Sequence, residues 1–144
     1  MDSELRKNIR LRWFQSLFEL SNYELQKKVW LEGAIVDYFS DYTEAICSYF
    51  DDLDLGSGLE KFAEDGFITK DEAKLFLDFH KQFREYTSRP DKRTLSDSKI
   101  LRDIEWKNLT ILAKQNWDKL KEMLTDKAEL DYINNLEDRF ANVT

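Results

Sequence analysis

The spacing of apolar residues predicts a helix near the start of the chain. Leu5, Ile9 and Trp13 recur at every fourth position, and the apolar pattern continues to Leu20. Residues four apart lie on the same side of an α-helix, so these side chains form one apolar stripe. The stripe predicts a helix over residues 5–20 that packs one side against the rest of the protein.

A second and longer helix is predicted to follow almost at once. The segment Ser21–Glu24 has the form of a capping box, in which the serine caps the helix and the glutamate reaches back to it. Apolar residues at helical spacing then extend to about Leu53, with at most a bend near Gly33. The segment Asp54–Gly58 ends this helix, because its glycines are conformationally free and typical of loops.

Two further helices are predicted in the middle of the chain. A short one spans Leu59–Glu64, and Gly66 follows at a position that suits a left-handed helix end. The segment Thr69–Glu72 is a second capping box, so a longer helix begins there and spans about Lys70–Tyr86. Aromatic residues recur at helical spacing in this longer helix and predict its buried face.

The next part of the chain is predicted to alternate between exposed and helical segments. Ser88–Arg93 is expected to be an exposed linker, and Leu95–Arg102 a short turn of helix. Asp103 has the residue type and position of an N-cap. It is therefore expected to begin a long helix that ends at Leu124.

This long helix is expected to contribute tryptophans to the core. Trp106 and Trp117 are eleven residues apart, close to three helical turns, so both lie on its broad apolar face. A last helix is capped by Thr125 or Asp126 and carries a narrower apolar stripe that reaches Phe140. These positions predict a helix at the end of the chain that also packs on the core.

Composition agrees with an all-helical protein. The 144 residues include four glycines and one proline, too few for the many tight turns of a β-sandwich or barrel. A chain of this length suits one domain with its own core. The sequence therefore predicts an all-α, single-domain helical bundle over residues 1–144, with about five main helices and short helical pieces between them.

Acidic residues are concentrated in one part of the chain. Residues 34–72 contain eleven acids and two bases, a net charge of −9, whereas the whole chain has a net charge of −7. This charge opposes attraction to the phosphate backbone of nucleic acids and to anionic membranes. A basic protein partner is the expectation that fits it.

The distribution of charges and cysteine also indicates a cellular location. Charged residues interrupt every apolar stretch, the segment Met1–Glu4 is acidic, and Cys47 is the single cysteine. These features predict no membrane-spanning helix, no signal peptide and no intrachain disulfide. A cytoplasmic location is therefore expected.

The acids of the second predicted helix are expected to form one exposed stripe. At about 100° per residue they fall within about 100° of the helix surface, whereas apolar residues such as Phe39 fall on the opposite side. Two tyrosines, eleven residues apart, border the acids. The predicted partner-binding residues are Asp37, Tyr38, Asp41, Glu44, Tyr49, Asp51 and Asp52. Tyrosine beside carboxylates combines contact area with electrostatic steering, and a solvated helix face is the alternative interpretation.

Residues 61–72 match part of an EF-hand calcium loop. Gly66 and Glu72 stand at the positions of the invariant glycine and the last ligand. Lys61 and Ala63 stand where the first two oxygen ligands belong, and an ammonium group opposes a cation there. A helix end followed by a capping box explains the same residues, so no calcium site is expected.

Candidate catalytic residues are few. His80 is the only histidine, which excludes two-histidine zinc sites and the paired glutamate–histidine sites of di-iron bundles. Cys47 and His80 are the one nucleophile–base pair that the residue types allow. The position of Cys47 at the margin of an apolar helix face favours a small buried thiol instead. No catalytic residue, metal or cofactor is expected.

A basic and aromatic cluster in the first helix raises nucleic-acid binding as a further interpretation. The cluster consists of Arg6, Lys7, Arg10, Arg12, Trp13 and Phe14. Acids interrupt the basic residues, and the aromatic residues occupy positions that suit packing. A structural role is favoured, and no nucleic-acid partner is expected.

Several segments in the second half of the chain resemble small, acidic, mostly helical bacterial immunity proteins of polymorphic-toxin and contact-dependent inhibition systems. The similar segments, within residues 66–124, are Gly66–Glu72, Phe79–His80, Asp103–Trp106, Leu112–Lys114 and Trp117–Leu120. The resemblance implies an inhibitor that binds one cognate toxin in the cytoplasm of the producing cell and performs no catalysis. It assigns no role to any numbered residue, and the acidic stripe lies outside it.

These observations together predict a non-catalytic binding protein. The specific hypothesis is an immunity protein that neutralises a basic toxin domain through the acidic, tyrosine-edged helix face. A regulatory or adaptor module with another protein partner is the first alternative. A helical domain that binds a small molecule in an aromatic-lined pocket is the second.

Overall fold

The computed structural model describes residues 3–33, 35, 38–55 and 58–141, with the side chains of all of these except 52–55. Within those residues the regular structure is entirely helical, which confirms the predicted all-α class. The α-helices are α1 (Ser3–Leu20), α2 (Tyr23–Gln26), α3 (Tyr42–Leu55), α4 (Leu59–Glu64), α5 (Lys70–Ser88), α6 (Pro90–Arg93), α7 (Asp97–Arg102), α8 (Ile104–Met123) and α9 (Lys127–Arg139). A π-helical segment, Lys27–Glu32, continues directly from α2.

Helix α1 packs against more than one of the long helices. It contacts α3, α8 and α9, while α5 packs against α8 and α4. The C-terminal half of α1 is buried almost all round, from Trp13 to Leu20. Gln15 is the exposed residue of this half, and burial of most of the helix circumference explains why α1 is apolar on more than the single predicted stripe.

Aromatic rings fill the region between α3, α5 and α8. The indole ring of Trp106 has four aromatic neighbours at centroid distances of 5.3–5.9 Å. These neighbours are Trp30, Tyr42, Phe83 and Tyr86. The indole N–H of Trp106 donates to Gln26 Oε1 at 2.9 Å, so its polar atom is also satisfied. Trp106 and Trp117 are both fully buried, which confirms their predicted place in the core.

Several predicted helix ends are confirmed. At the start of α5, Thr69 Oγ1 accepts from the Glu72 N–H at 3.0 Å, and Glu72 Oε1 accepts from the Thr69 N–H at 2.8 Å. Gly66 has a φ of +85°, the left-handed conformation expected after α4. Asp103 and Asp126 each accept a hydrogen bond from a backbone N–H in the first turn of α8 and α9.

The single long helix predicted between Ser21 and Leu53 is wrong. Asn22, not Ser21, caps the first turn by accepting from a backbone N–H. Gly33 then takes a left-handed conformation, with a φ of +56°, and ends the π-helical segment. Residues 38–41 have no regular secondary structure, and α3 begins only at Tyr42. Glycine adopts this conformation without the steric cost that other residues pay, so it provides the break.

The segment predicted as an exposed linker is also different in the structure. Residues 90–93 form α6, with proline at the start of the helix, where its missing N–H costs nothing. Lys92 is buried, and its ammonium lies 2.6 Å from Asp103 Oδ2 and over the ring of Tyr86. Lys92 therefore anchors α6 to the start of α8.

Among the described residues, no helix is long and apolar enough to cross a membrane.

Candidate partner-binding surface

A surface groove with a volume of about 460 Å³ lies between α1, α3 and the segment 38–40. Its lining residues are Arg12, Gln15, Ser16 and Glu19 from α1, Tyr38, Phe39 and Ser40 from the segment, and Glu44, Ala45, Ser48 and Asp51 from α3. Three of the predicted partner-binding residues, Tyr38, Glu44 and Asp51, are thus brought to one groove. We refer to it as the α1–α3 groove.

Two of the acids lie on the side of α3 that lines the groove. Glu44 and Asp51 are seven residues apart, close to two helical turns, and both are exposed. Asp41 is exposed as well and precedes the helix, where its Oδ1 accepts from the Glu44 N–H at 2.7 Å. This bond caps α3, and an acid at a helix N-terminus is further stabilised by the helix dipole. Asp41 is therefore held in place at the start of α3.

Sequence reasoning missed Phe39, which was expected on an apolar helix face. Its side chain is 84% exposed and lines one end of the α1–α3 groove. The spacing of apolar residues predicted a buried position for Phe39 because it assumed a helix, and residues 38–41 are not helical. Exposure alternates along them, with Tyr38 and Ser40 half-buried and Phe39 and Asp41 exposed. That alternation is typical of an extended chain, whose successive side chains point to opposite sides.

A buried carboxylate lies beneath this segment. Glu19 is 7% exposed, and its Oε1 accepts from the Tyr38 hydroxyl at 2.6 Å. Its Oε2 accepts from the Ser40 hydroxyl at 2.8 Å and from the Trp30 indole N–H at 2.9 Å. Burial, and then the nearby Glu19 charge, raise the pKa of Tyr38 well above its ordinary value, so the phenol stays protonated and donates.

Tyr49 is not where the prediction placed it. Its side chain is 1% exposed, and its hydroxyl lies 2.9 Å from Nδ1 of His80 in the core. The ring packs edge-on against Phe83 at a centroid distance of 5.1 Å, and burial raises the pKa of its phenol. The prediction that it borders the acids at the surface is corrected, because Tyr38 and Tyr49 do not share one helix and the inner side of α3 includes Tyr49.

Two other predicted residues have no described side chain. Asp37 lies outside the described residues, and Asp52 lies within α3 but its side chain is not described. The described part of the predicted set at the surface is therefore Tyr38, Asp41, Glu44 and Asp51.

The Cys47 and His80 side chains lie in different environments. Cys47 is exposed, so its expected burial is wrong, whereas His80 is buried beside Tyr49. No set of three or more histidine, cysteine, aspartate or glutamate side chains in the described part of the chain is arranged to hold a metal ion.

The calcium-like segment and the basic cluster of α1 meet in an ion pair. Arg10 binds both oxygens of Glu72 at 2.7 Å, and its Nε lies 2.6 Å from Oε2 of Glu129. Burial by itself raises the pKa of Glu72, but hydrogen bonds from Arg10 and Thr69 outweigh it and lower the pKa overall. Arg10 thus has a structural role that the sequence did not predict, whereas Trp13 and Phe14 of the same cluster are buried, as the packing interpretation expected.

Comparison with models of known protein families gave no match to this chain. Comparisons with curated proteins and with solved structures also gave no significant match. Its function is therefore inferred from its own residues and their geometry.

Proposed function

We propose that this chain is a non-catalytic binding protein that recognises a basic protein partner through an acidic surface beside the α1–α3 groove. We call the surface formed by Phe39, Asp41, Glu44 and Asp51 the acidic groove surface. The observation that carries the proposal is that the exposed aromatic ring of Phe39 and two exposed carboxylates, those of Glu44 and Asp51, line the same groove. Aromatic residues with a charged surround are typical of protein interfaces.

The charges of this surface favour a basic partner. Asp41, Glu44 and Asp51 belong to the part of the chain with a net charge of −9. Exposed charges contribute little to final affinity, but they steer an oppositely charged partner and speed association. We therefore assign the acids to attracting and orienting the partner, and Phe39 to direct contact with it.

The resemblance of residues 66–124 to immunity proteins supports a toxin domain as the basic partner. Under this proposal the protein acts in the cytoplasm of the producing cell and neutralises the toxin by covering its surface. The protein itself performs no chemical step. The Cys47–His80 pair supplies no support for catalysis, because the two side chains lie in different environments, one at the surface and the other in the core.

The test measures association with the purified product of the adjacent gene at low and high ionic strength. The test variant, Asp41→Asn/Glu44→Gln/Asp51→Asn, removes three charges but keeps a side chain that can cap α3. The control, Glu85→Gln/Glu122→Gln/Asp131→Asn, removes three exposed charges from α5, α8 and α9. We expect the test variant to associate about tenfold more slowly at low salt and to lose most of the salt dependence.

Two outcomes would count against the proposal. One is equal slowing by the test and control variants, because this would assign the effect to net charge alone. The other is a failure of the wild-type protein to protect cells that express the adjacent gene product, which would reject the immunity function while leaving the fold untouched. Circular dichroism of each variant confirms that it is folded.

A further inference from the structure

The segment that carries Phe39 is tied to the protein on both sides of that residue. Tyr38 and Ser40 are its immediate neighbours, and both donate hydrogen bonds to the carboxylate of Glu19, at 2.6 and 2.8 Å. Exposure alternates along residues 38–41, so that the two neighbours bound to α1 leave the ring between them directed outward. The exposure of Phe39 is thus a consequence of how its neighbours are bound.

Further contacts fix the ends of this segment. The Tyr38 ring packs edge-on against Phe140 at a centroid distance of 5.2 Å. Asp41 caps α3 through its side chain, and its carbonyl accepts from the Ala45 N–H at 2.9 Å. The backbone that carries Phe39 therefore loses little conformational freedom on binding, which is a property of a preorganised interface.

The Glu19 carboxylate favours this one conformation of residues 38–40. It is buried, and the hydrogen bonds that the structure describes to it come from neutral donors: Trp30, Tyr38 and Ser40. A buried carboxylate is strongly disfavoured when it loses hydrogen-bond donors. Any movement that turns Tyr38 or Ser40 away from α1 therefore leaves a buried charge with fewer donors. The burial of Glu19 couples the core to the conformation of the segment around Phe39.

We infer that Phe39 is the anchor of the acidic groove surface and that Glu19 is the residue that positions it. The occupant that matches this surface is a protein partner with an apolar pocket ringed by lysine or arginine side chains, since an exposed phenyl ring lines the same groove as Glu44 and Asp51 and the exposed Asp41 follows it two residues later. The inference rests on the proposed function and adds the chemistry of the contact. Burial of the Phe39 ring slows dissociation of the partner, and the acids orient the partner as it approaches.

The first experiment uses two synthetic helical peptides of equal length and equal positive charge. One places leucines three and four residues apart among lysines so that the leucines line one side of the helix, and the other has alanine in place of each leucine. We expect wild-type protein to bind the leucine peptide at least about tenfold more tightly than the alanine peptide, a ratio set by burial of the ring. Phe39→Ala should reduce this ratio to about twofold or less. Ile111→Ala, which truncates an exposed apolar residue on α8, is the matched control and should leave the ratio unchanged.

The second experiment tests the positioning role of Glu19. Tyr38→Phe/Ser40→Ala removes two donors to Glu19 but leaves every side chain of α1 in place, and Glu19→Gln changes the carboxylate itself. Both variants should lower the preference for the leucine peptide. In the Phe39→Ala background they should have no further effect, because Glu19 acts through the ring. A purely structural role would lower binding equally in both backgrounds, so the double-mutant comparison separates the two.

The results distinguish this inference from the proposed function. Salt-dependent binding of both peptides with equal affinity would reject the aromatic anchor and leave the charged surface intact. A preference that persists in Phe39→Ala would also reject the anchor. If Asp41→Asn/Glu44→Gln/Asp51→Asn leaves salt-dependent binding of both peptides unchanged, the acidic surface itself is rejected. Thermal unfolding monitored by circular dichroism accompanies each variant, and Tyr38→Phe/Ser40→Ala decides the matter if Glu19→Gln does not fold.

Discussion

Arg10 and Glu72 form a bidentate ion pair that joins the first helix of the chain to the start of α5. Their two nitrogen–oxygen distances are both 2.7 Å, and the side chains are 15% and 3% exposed. Glu129 of α9 accepts from the same guanidinium. One arginine thus connects its own helix, α1, to α5 and α9, through partners that lie 62 and 119 residues away along the chain.

Replacing Arg10 with glutamine is expected to destabilise the protein strongly. The change leaves the buried Glu72 carboxylate without its cationic partner, which costs about 2–4 kcal/mol for a pair with little solvent access. Urea unfolding followed by circular dichroism measures the loss. Lys114→Gln is the control, because it breaks an exposed pair with Asp118 and should cost no more than ~0.5 kcal/mol. Equal unfolding free energies for the two variants would show that the Arg10–Glu72 pair contributes no more to stability than an exposed pair.

Stability is expected to fall in acid partly because of the same pair. The pKa of Glu72 is lowered in the fold from an ordinary value of 4.5, so the folded state holds this proton less readily than the unfolded chain. The stabilisation is therefore complete above that value and is lost as pH falls through the lowered folded pKa. Urea unfolding at pH 7, 5, 4 and 3 should show a decline below about pH 4.5. The decline should be smaller in Glu72→Gln.

Asp103 contributes to this acid sensitivity with the same sign. Burial by itself raises its pKa, but hydrogen bonds from Lys92 and Tyr86 outweigh burial and lower it. Glu72→Gln should therefore remove only part of the acid dependence. An acid profile that is identical in wild-type protein and Glu72→Gln would contradict the assignment to the Arg10 pair.

Truncating Tyr49 is expected to damage the fold and not merely the interface. Tyr49→Ala removes a fully buried ring and should cost about 3–5 kcal/mol of unfolding free energy. Tyr49→Phe keeps the ring and removes only the hydrogen bond to His80, at a cost of about 1 kcal/mol. Chemical denaturation of the two variants gives both values. Wild-type stability in Tyr49→Ala, together with weaker partner binding, would show that Tyr49 is a surface residue that contacts the partner.

Calcium is expected to have no specific site in residues 61–72. Both Glu72 oxygens already accept hydrogen bonds from Arg10, and Oε1 also accepts from the Thr69 N–H. Lys61 and Ala63 belong to α4 and supply no side-chain oxygen. Titration calorimetry should give no saturable heat at micromolar calcium. A saturable signal that Glu72→Gln abolishes would show that the metal displaces Arg10.

The sequence was sufficient wherever the determining interactions are local. The caps at Thr69, Asp103 and Asp126 each involve backbone groups within three residues, so residue type and spacing predicted the first two and narrowed the third to Thr125 or Asp126. The burial of Trp106 and Trp117 followed from helical periodicity, because the surrounding helix is long and regular. The exposed positions of Glu44 and Asp51 followed in the same way.

The surface around Phe39 was only partly accessible from the sequence. Its acids were predicted, but the non-helical path of residues 38–41 was not, because Tyr38 and Ser40 bind a carboxylate on α1. Those hydrogen bonds span 19 and 21 residues, beyond the reach of a local pattern. Apolar spacing therefore assigned Phe39 to the interior, whereas the chain directs it to solvent.

Residue type and spacing by themselves determined the helical class, most helix ends and the tryptophan core, since hydrophobic periodicity and capping depend on neighbours in the chain. Tertiary structure alone determined the burial of three charged side chains, Arg10, Glu19 and Lys92. They look like surface residues in the sequence but are largely buried in the fold. The physical reason is that a charged group enters the interior only where another part of the chain supplies its hydrogen-bond partners.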